Sequence, residues 1–218
     1  MNSIKRAWNY LPVGVRGPVA VIILAGVVAL AGVYSHRFDL YGPLALWPAD
    51  FLRGQVWRAL TYAWLPAGPA DLIFNGFLVA ILGTRLVAGL GRREFRLFCL
   101  VGLLGTAIFK LVLSPLSQGP MVGMAGVVFA MFAAWCRLFP TEEVMLMATW
   151  RMSMRSAILI VAGLIIMFGL LSSCGFWNAV AILGGGATGW LYLAAQSRWR
   201  MHHGPRVVPS ERIRRLEL

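Results

Sequence analysis

Apolar stretches of about 20 residues constrain this chain more than any other feature. A helix needs roughly 17 to 25 apolar residues to cross the hydrocarbon core of a bilayer. Helices are expected rather than strands, because a helix pairs its own backbone groups in lipid. The sequence therefore predicts an all-α membrane protein with six transmembrane helices. These are expected near residues 17–35, 71–91, 95–114, 121–139, 154–174 and 177–196.

The distribution of basic residues predicts the orientation of these helices. Sixteen of the 20 basic residues lie before the first stretch, after the sixth, or in or beside the loops that join the second to the third and the fourth to the fifth. Basic residues concentrate in cytoplasmic loops, so both termini are predicted to be cytoplasmic. This topology also explains the net charge of +12, and no motif for binding nucleic acid accompanies that charge.

These features predict three regions: a cytoplasmic N-terminus over residues 1–16, a membrane domain over 17–196 and a basic cytoplasmic tail over 197–218. The three cysteines lie in or at the ends of apolar stretches, where they are expected to pack as small hydrophobic residues. The sequence therefore predicts no disulfide, no metal site and no cofactor. The expected location is the bilayer of a bacterial inner membrane.

The loop from His36 to Ala70 is far longer than the other connections. It carries several aromatic residues among apolar neighbours, including Trp47, Trp57 and Trp64. Aromatic rings of this kind settle at the headgroup level of a membrane. The loop is therefore predicted to lie half inserted in the bilayer.

Glycines in the fourth and sixth stretches predict a close helix contact. Small residues spaced three or four apart let two helix backbones approach each other. A lone pair of such glycines is common in membrane helices, but two strips in one chain are more specific. The fourth and sixth helices are therefore expected to touch. The glycines concerned are Gly123 and Gly126 in the fourth stretch and Gly184, Gly185 and Gly189 in the sixth.

Four segments in chain order carry a family likeness. Residues 54–61 contain a Trp-Arg pair in the long loop, and residues 74–91 combine Phe-Asn, Leu-Gly and Gly-Leu-Gly. Residues 123–130 read GMAGVVFA, and residues 181–189 begin AILGG and end in glycine. Together these segments resemble the rhomboid family of intramembrane serine proteases. The last two resemble its Gly-x-Ser-Gly and Ala-His-x-Gly-Gly motifs.

The resemblance implies that the catalytic pair is missing. Ala125 stands at the position of the nucleophilic serine, and Ile182 at the position of the histidine base. Asn75 matches a family asparagine that helps to bind the oxyanion, whereas Asp71 stands where the family usually has a histidine. Phe129 matches an aromatic residue that packs on the catalytic histidine. No catalytic residue is therefore expected in this chain.

Other matching positions are expected to preserve packing. The resemblance assigns structural roles to Trp57, Arg58, Gly83, Gly91, Gly123, Gly126, Phe129, Gly184, Gly185 and Gly189.

In lacking the catalytic pair, this chain resembles derlins and inactive rhomboids, which bind membrane-protein clients and pass them to other machinery. The resemblance implies a pseudoprotease that works as an adaptor in membrane-protein quality control. Its expected partners are the lipid bilayer, transmembrane clients and a membrane-anchored ATP-dependent protease. Asp71 and Asn75 are the candidate client contacts.

Two other functions remain open on the sequence alone. The first is an active intramembrane serine protease that uses a non-standard nucleophile and base. Lys110 lies one turn from Ser114, a spacing that a Ser-Lys dyad can use, although a lysine that snorkels to the outer surface is the favoured interpretation. Asp71 is similarly expected to accept hydrogen bonds from free amides at a helix N-terminus. A lipid or solute transporter is the second alternative. It is disfavoured because polar residues such as Thr188 are few and no internal repeat is visible.

Overall fold

The computed structural model describes residues 13–35, 39–113, 119–139, 143–146, 150–171 and 176–203. Within these ranges the chain is mostly helical, as predicted. Six long helices occupy the positions of the six apolar stretches, and three short helices lie between the first two of them. The long helices are α1 (Val13–Ser35), α5 (Pro69–Leu90), α6 (Arg92–Val112), α7 (Ala125–Leu138), α8 (Met154–Leu171) and α9 (Phe176–His203).

The helices have the length and composition of an integral membrane protein. In the described part of the chain, Val15–Gly32 within α1, all of α5 and all of α6 are long and apolar enough to cross a membrane. Two shorter apolar helices follow, Ala125–Leu138 and Ser156–Met167. The crossing of all six helices and the cytoplasmic location of both termini remain predictions.

The predicted domain limits differ slightly from the helix ends. Helix α1 begins at Val13 rather than at residue 17, and α9 continues to His203, beyond residue 196. The remainder of the predicted N-terminus and basic tail, residues 1–12 and 204–218, lies outside the described residues.

The long loop folds into α2 (Tyr41–Leu44), α3 (Pro48–Leu52), α4 (Arg58–Thr61) and a 3₁₀ turn (Tyr62–Trp64). Its outer surface carries large apolar side chains, since Leu52 is 77% and Val56 61% exposed. Exposed side chains of this kind suit the headgroup region of a bilayer, where the loop is predicted to lie.

Arg58 holds this loop together from the inside. Its side chain is buried, and its guanidinium donates to the carbonyl oxygens of Gly42 and Ala45, both at 2.7 Å. The same group pairs with Asp50 at 3.2 Å. These bonds compensate a buried charge that would otherwise be costly. The neighbouring Trp57 is 49% exposed, and its Nε1 donates to the Pro43 carbonyl oxygen at 3.3 Å.

The core lies between α1, α5, α6, α7 and α9. Helix α9 packs against α6 and α7, and α5 packs against α1 and α7. Large apolar side chains such as Phe95, Phe98, Leu82 and Met131 fill the space between them. Helix α8 packs against α9 and α7 at the side of this core.

A small hairpin departs from the predicted all-α class. Strands β1 (Glu143–Leu146) and β2 (Trp150–Ser153) pair antiparallel, with Glu143 opposite Ser153. The sequence between the fourth and fifth stretches was expected to be only a connection. The short hairpin escapes prediction because its strands have four residues each, too few to set a clear alternating pattern.

Candidate functional site

The start of α7 is the centre of the candidate site. The fourth helix begins at Ala125, not at residue 121, because Gly123 turns the chain with a φ of +91°. Only glycine adopts such a conformation readily. The Gly123 N–H donates to the Tyr62 carbonyl oxygen at 3.1 Å, and Met121 exchanges two backbone hydrogen bonds with Leu46. The long loop therefore fixes the position of Ala125.

Asp71 and Asn75 lie against this turn from the first two turns of α5. One carboxylate oxygen of Asp71 accepts the Ala67 N–H at 3.0 Å, and the other accepts the Asn75 side-chain amide at 2.7 Å. A Cβ atom on Gly123 would lie 3.2 Å from Asp71 Oδ2. The prediction that Asp71 accepts a free amide at a helix N-terminus is confirmed.

A very small cavity lies beside Asp71, Asn75 and the turn at Gly123. Its volume is about 10 Å³, and Asp71, Asn75 and Gly123 are among its lining residues. This volume is close to the minimum that holds one water molecule.

Glycines of α9 meet α7 as the sequence predicts. A Cβ atom on Gly189 would lie 2.9 Å from the Ala130 Cβ atom, and one on Gly186 would overlap the Phe129 ring. A Cβ atom on Gly185 would come within 3.1 Å of the Gly126 carbonyl oxygen. The predicted contact between the fourth and sixth helices is confirmed.

The glycines also face α6, which the sequence did not indicate. Cβ atoms on Gly126 and on Gly185 would both overlap the Thr106 hydroxyl, and one on Gly184 would overlap the Phe109 ring. Thr106 is fully buried, and its hydroxyl donates to the Gly102 carbonyl oxygen at 2.8 Å. Three helices therefore meet at Thr106. In the sequence, Thr106 is distinguished only by its hydroxyl group in the middle of an apolar stretch.

Ile182 occupies the predicted histidine position on α9 and is partly buried in the core. Ala181 beside it is fully buried. Neither Ile182 nor Ala125 has a side chain that transfers a proton. The two positions therefore provide neither a nucleophile nor a base.

The position of the Lys110 side chain differs from the one predicted from the sequence. Its side chain is completely buried, so the predicted snorkelling lysine is wrong. The Lys110 ammonium donates to Asn178 Oδ1 at 2.6 Å, and the Asn178 amide donates to the Pro120 carbonyl oxygen at 3.4 Å. Asn178 lies one turn before Ile182 and was missed by the sequence analysis. Ser114, the other member of the alternative dyad, lies outside the described residues.

Tyr62 is a further buried hydroxyl near this site. Its hydroxyl donates to the Leu103 carbonyl oxygen at 2.9 Å. Burial raises the pKa of the Tyr62 phenol above its ordinary value, so the group is a weaker acid than a tyrosine in water. Within the described ranges, no cluster of three or more His, Cys, Asp or Glu side chains is arranged to hold a metal ion.

The other predicted packing glycines lie at the α5–α6 hairpin. A Cβ atom on Gly83 would lie 3.2 Å from the Phe95 ring and 3.4 Å from a Val15 methyl group. Gly91 forms the turn between the two helices with a φ of +86°, and its N–H donates to the Val87 carbonyl oxygen at 2.9 Å.

Comparison with known proteins gives one family. The family model described as the rhomboid domain matches residues 53–199. The matched range includes the start of α7 and the glycines of α9. No curated protein matches the chain. Because the family model covers more than half of its length, this chain belongs to the rhomboid family.

Proposed function

We propose that this rhomboid-family protein is a pseudoprotease that binds membrane-protein clients. It acts as an adaptor or partner subunit in membrane-protein quality control. The observation that supports this best is the composition of the candidate site, where Ala125 and Ile182 carry no transferable proton. Serine hydrolysis requires a nucleophile and a base within hydrogen-bond reach of each other.

The position of Asp71 gives a second reason to expect no peptidase activity. Its carboxylate accepts the Asn75 amide and lies beside the turn that precedes α7. An oxyanion develops in acyl transfer and needs donors that are free to point at it. Here one of the two N–H donors of the Asn75 amide is already bound to Asp71, and the nearest charge is negative. The site is therefore opposed to hydrolysis at three separate positions.

Client binding is supported by the lipid-facing side of α5. Ile73, Phe74 and Phe77 are each at least 60% exposed, and Asp71 is only half-buried beside them. Apolar contact alone gives no preference for a helix over lipid, whereas a polar side chain does. Asp71 is the direct contact for a client helix that carries a hydrogen-bond donor. Asn75 is 5% exposed and so positions Asp71 rather than touching the client.

The proposed partner is a membrane-anchored ATP-dependent protease. A client held in the membrane by a protein without peptidase activity needs a second component that extracts or degrades it. The predicted cytoplasmic ends, which carry many of the basic residues, provide the surface for that partner.

An activity assay tests the pseudoprotease part of the proposal. The purified protein in liposomes is incubated with a fluorophosphonate probe and with a generic rhomboid substrate, beside an active rhomboid at the same lipid ratio. We expect neither labelling nor cleavage. Labelling that disappears in the Ser114→Ala or Ser117→Ala variant would show an active enzyme instead.

A binding assay tests the client part. Two single-span peptides are compared by fluorescence energy transfer in liposomes; one carries an asparagine near its outer end, and the other carries leucine there. The asparagine peptide should bind about threefold more tightly, in keeping with the ~0.6 kcal/mol of an average interhelical hydrogen bond. Asp71→Leu should remove this preference. Thr84→Val, which removes a hydroxyl farther along α5, should preserve it. Equal binding of both peptides to the unmodified protein would refute the proposed client contact.

A further inference from the structure

An apolar cavity opens between α5, α6 and α7, and it shares the lining residues Trp64 and Met124 with the small cavity at the start of α7. Its volume is about 200 Å³. Leu100 on its α6 side is 42% exposed, so the cavity reaches the lipid-facing surface. Its lining includes Trp64, Val79, Cys99, Leu103, Val127 and Met131.

The depth of the cavity corresponds to one leaflet of a bilayer. Along α6 its lining runs from Phe95 to Leu103, which at the rise of an α-helix is about 12 Å. Half of the hydrocarbon core is about 15 Å thick. Trp64, from the half-inserted loop, lines the end of the cavity near Leu103, and Arg96 lines the other end. The cavity therefore extends inward from the α5–α6 turn without crossing the membrane.

The end at Arg96 is strongly basic. Arg85, Arg92, Arg93 and Arg96 are all exposed there. Between described residues, the ion pairs of the chain are those of Asp50 with Arg53 and with Arg58, so none of these four arginines is neutralised by a carboxylate in that part of the chain. The carboxylate of Glu94 in the same turn accepts from Tyr192 and Gln196 of α9.

We propose that this cavity binds an acyl chain of an anionic phospholipid, with the lipid phosphate on Arg96. The chain enters from the leaflet at the α5–α6 turn, which the charge distribution places on the cytoplasmic side. An acyl chain fits the depth and the volume of about 200 Å³, whereas a helix with side chains is about 10 Å wide and needs several times that volume over the same depth. Anionic headgroups are attracted by basic residues at the membrane surface. The inference is independent of the proposed client binding.

Bromine quenching of Trp64 fluorescence tests this site. The protein is reconstituted in liposomes of one fixed mixture of phosphatidylglycerol and phosphatidylcholine, in which only one of the two lipids is brominated on its acyl chain. The bulk charge is then the same in both samples. The Trp64→Phe variant gives the signal of the other eight of the nine tryptophans. The difference between the two proteins is the quenching of Trp64.

Brominated phosphatidylglycerol should quench Trp64 more strongly than brominated phosphatidylcholine. Arg96→Gln should lower the apparent preference about fivefold, the effect expected of one basic residue at the surface. Arg53→Gln removes an exposed charge in the long loop and should leave the preference unchanged. Equal quenching by the two lipids would overturn the headgroup assignment. An excess that survives in Trp64→Phe would place the lipid outside this cavity and overturn the proposal.

Discussion

Asp71 is the single residue that most separates this site from a hydrolytic one. A missing serine or histidine removes a reacting group, but a carboxylate adjacent to the start of α7 also changes the electrostatics of the site. It holds the Asn75 amide at 2.7 Å and lies beside Gly123. Negative charge at this point opposes the charge that develops in acyl transfer.

Restoring the two missing groups should therefore not restore reactivity. The Ala125→Ser, Ile182→His double variant is expected to stay unlabelled by a fluorophosphonate probe, because Asp71 still repels an oxyanion. Adding Asp71→His should raise labelling at least about tenfold, since one oxyanion donor contributes at least 100-fold to turnover in known sites. The measurement is probe labelling in detergent, followed on a gel.

The matched control for this series is Asp39→His in the double variant, which removes an exposed carboxylate in the long loop instead of the one on α5. It should leave labelling unchanged. Full labelling of the double variant itself would contradict the role given to Asp71.

A second prediction for a single residue concerns the effect of Gly185 on stability. Gly185→Ala should destabilise the protein by about 1–3 kcal/mol, the usual range for overpacking a tight core. The added methyl overlaps the Thr106 hydroxyl and meets two backbone carbonyl oxygens, of Gly126 at 3.1 Å and of Gly102 at 3.2 Å. A thermal shift in detergent measures the effect. Gly163→Ala on α8 has open space around it and should be neutral or slightly stabilising.

At the scale of single residues, the sequence predicts the contacts of those residues that belong to a recognisable motif. The glycines and Asp71 have family positions or helix-end positions, so their contacts were expected. Thr106 and Asn178 were not, because a single polar residue in an apolar stretch does not reveal which neighbouring helix it meets. Their roles depend on the rotation of α6 and α9, which only packing determines.

Among the elements, α6 and α9 are joined by polar contacts near both ends. Lys110 and Asn178 bond at one end, and Glu94 accepts from Tyr192 and Gln196 at the other. Apolar side chains of the two helices fill the space between these contacts. Polar pairs of this kind fix the register of two helices, which apolar packing in lipid does not do alone.

A double-mutant cycle tests the Lys110–Asn178 contact. Asn178→Leu should destabilise the protein by about 3 kcal/mol, because it removes an acceptor from a buried ammonium. Combining it with Lys110→Met should recover much of this loss, since the charge is then gone. The free energy of unfolding is measured in a detergent–denaturant titration. As a control, Lys110→Met combined with Thr84→Val joins distant sites and should be additive. Additivity in the Lys110–Asn178 pair would contradict the contact.

The long helices were predictable wherever the length of an apolar stretch is enough to identify a helix. Each of the six apolar stretches contains a long helix in the described residues, because a run of that length has no other way to satisfy its backbone in lipid. Helix starts were less predictable. Helix α7 begins late because Gly123 and Met121 bind the long loop, a tertiary contact that hydropathy does not record.

For the whole molecule, family and topology rest on different observations. Family membership follows from the match over residues 53–199. Orientation rests on the distribution of the basic residues and on the positive-inside rule. The two agree on an integral membrane protein, but only an accessibility measurement determines which side of the membrane each loop faces.

Cysteine accessibility provides that measurement. In a variant with its three native cysteines replaced by serine, Arg53→Cys and Arg93→Cys are made separately; both positions are exposed in the structure. A membrane-impermeant maleimide on spheroplasts should label position 53 without permeabilisation and position 93 only after it. The expectation follows because position 93 lies in the basic turn between α5 and α6, whereas position 53 lies in the long loop on the opposite side. The reverse pattern would invert the topology and would move the proposed phospholipid site to the outer leaflet.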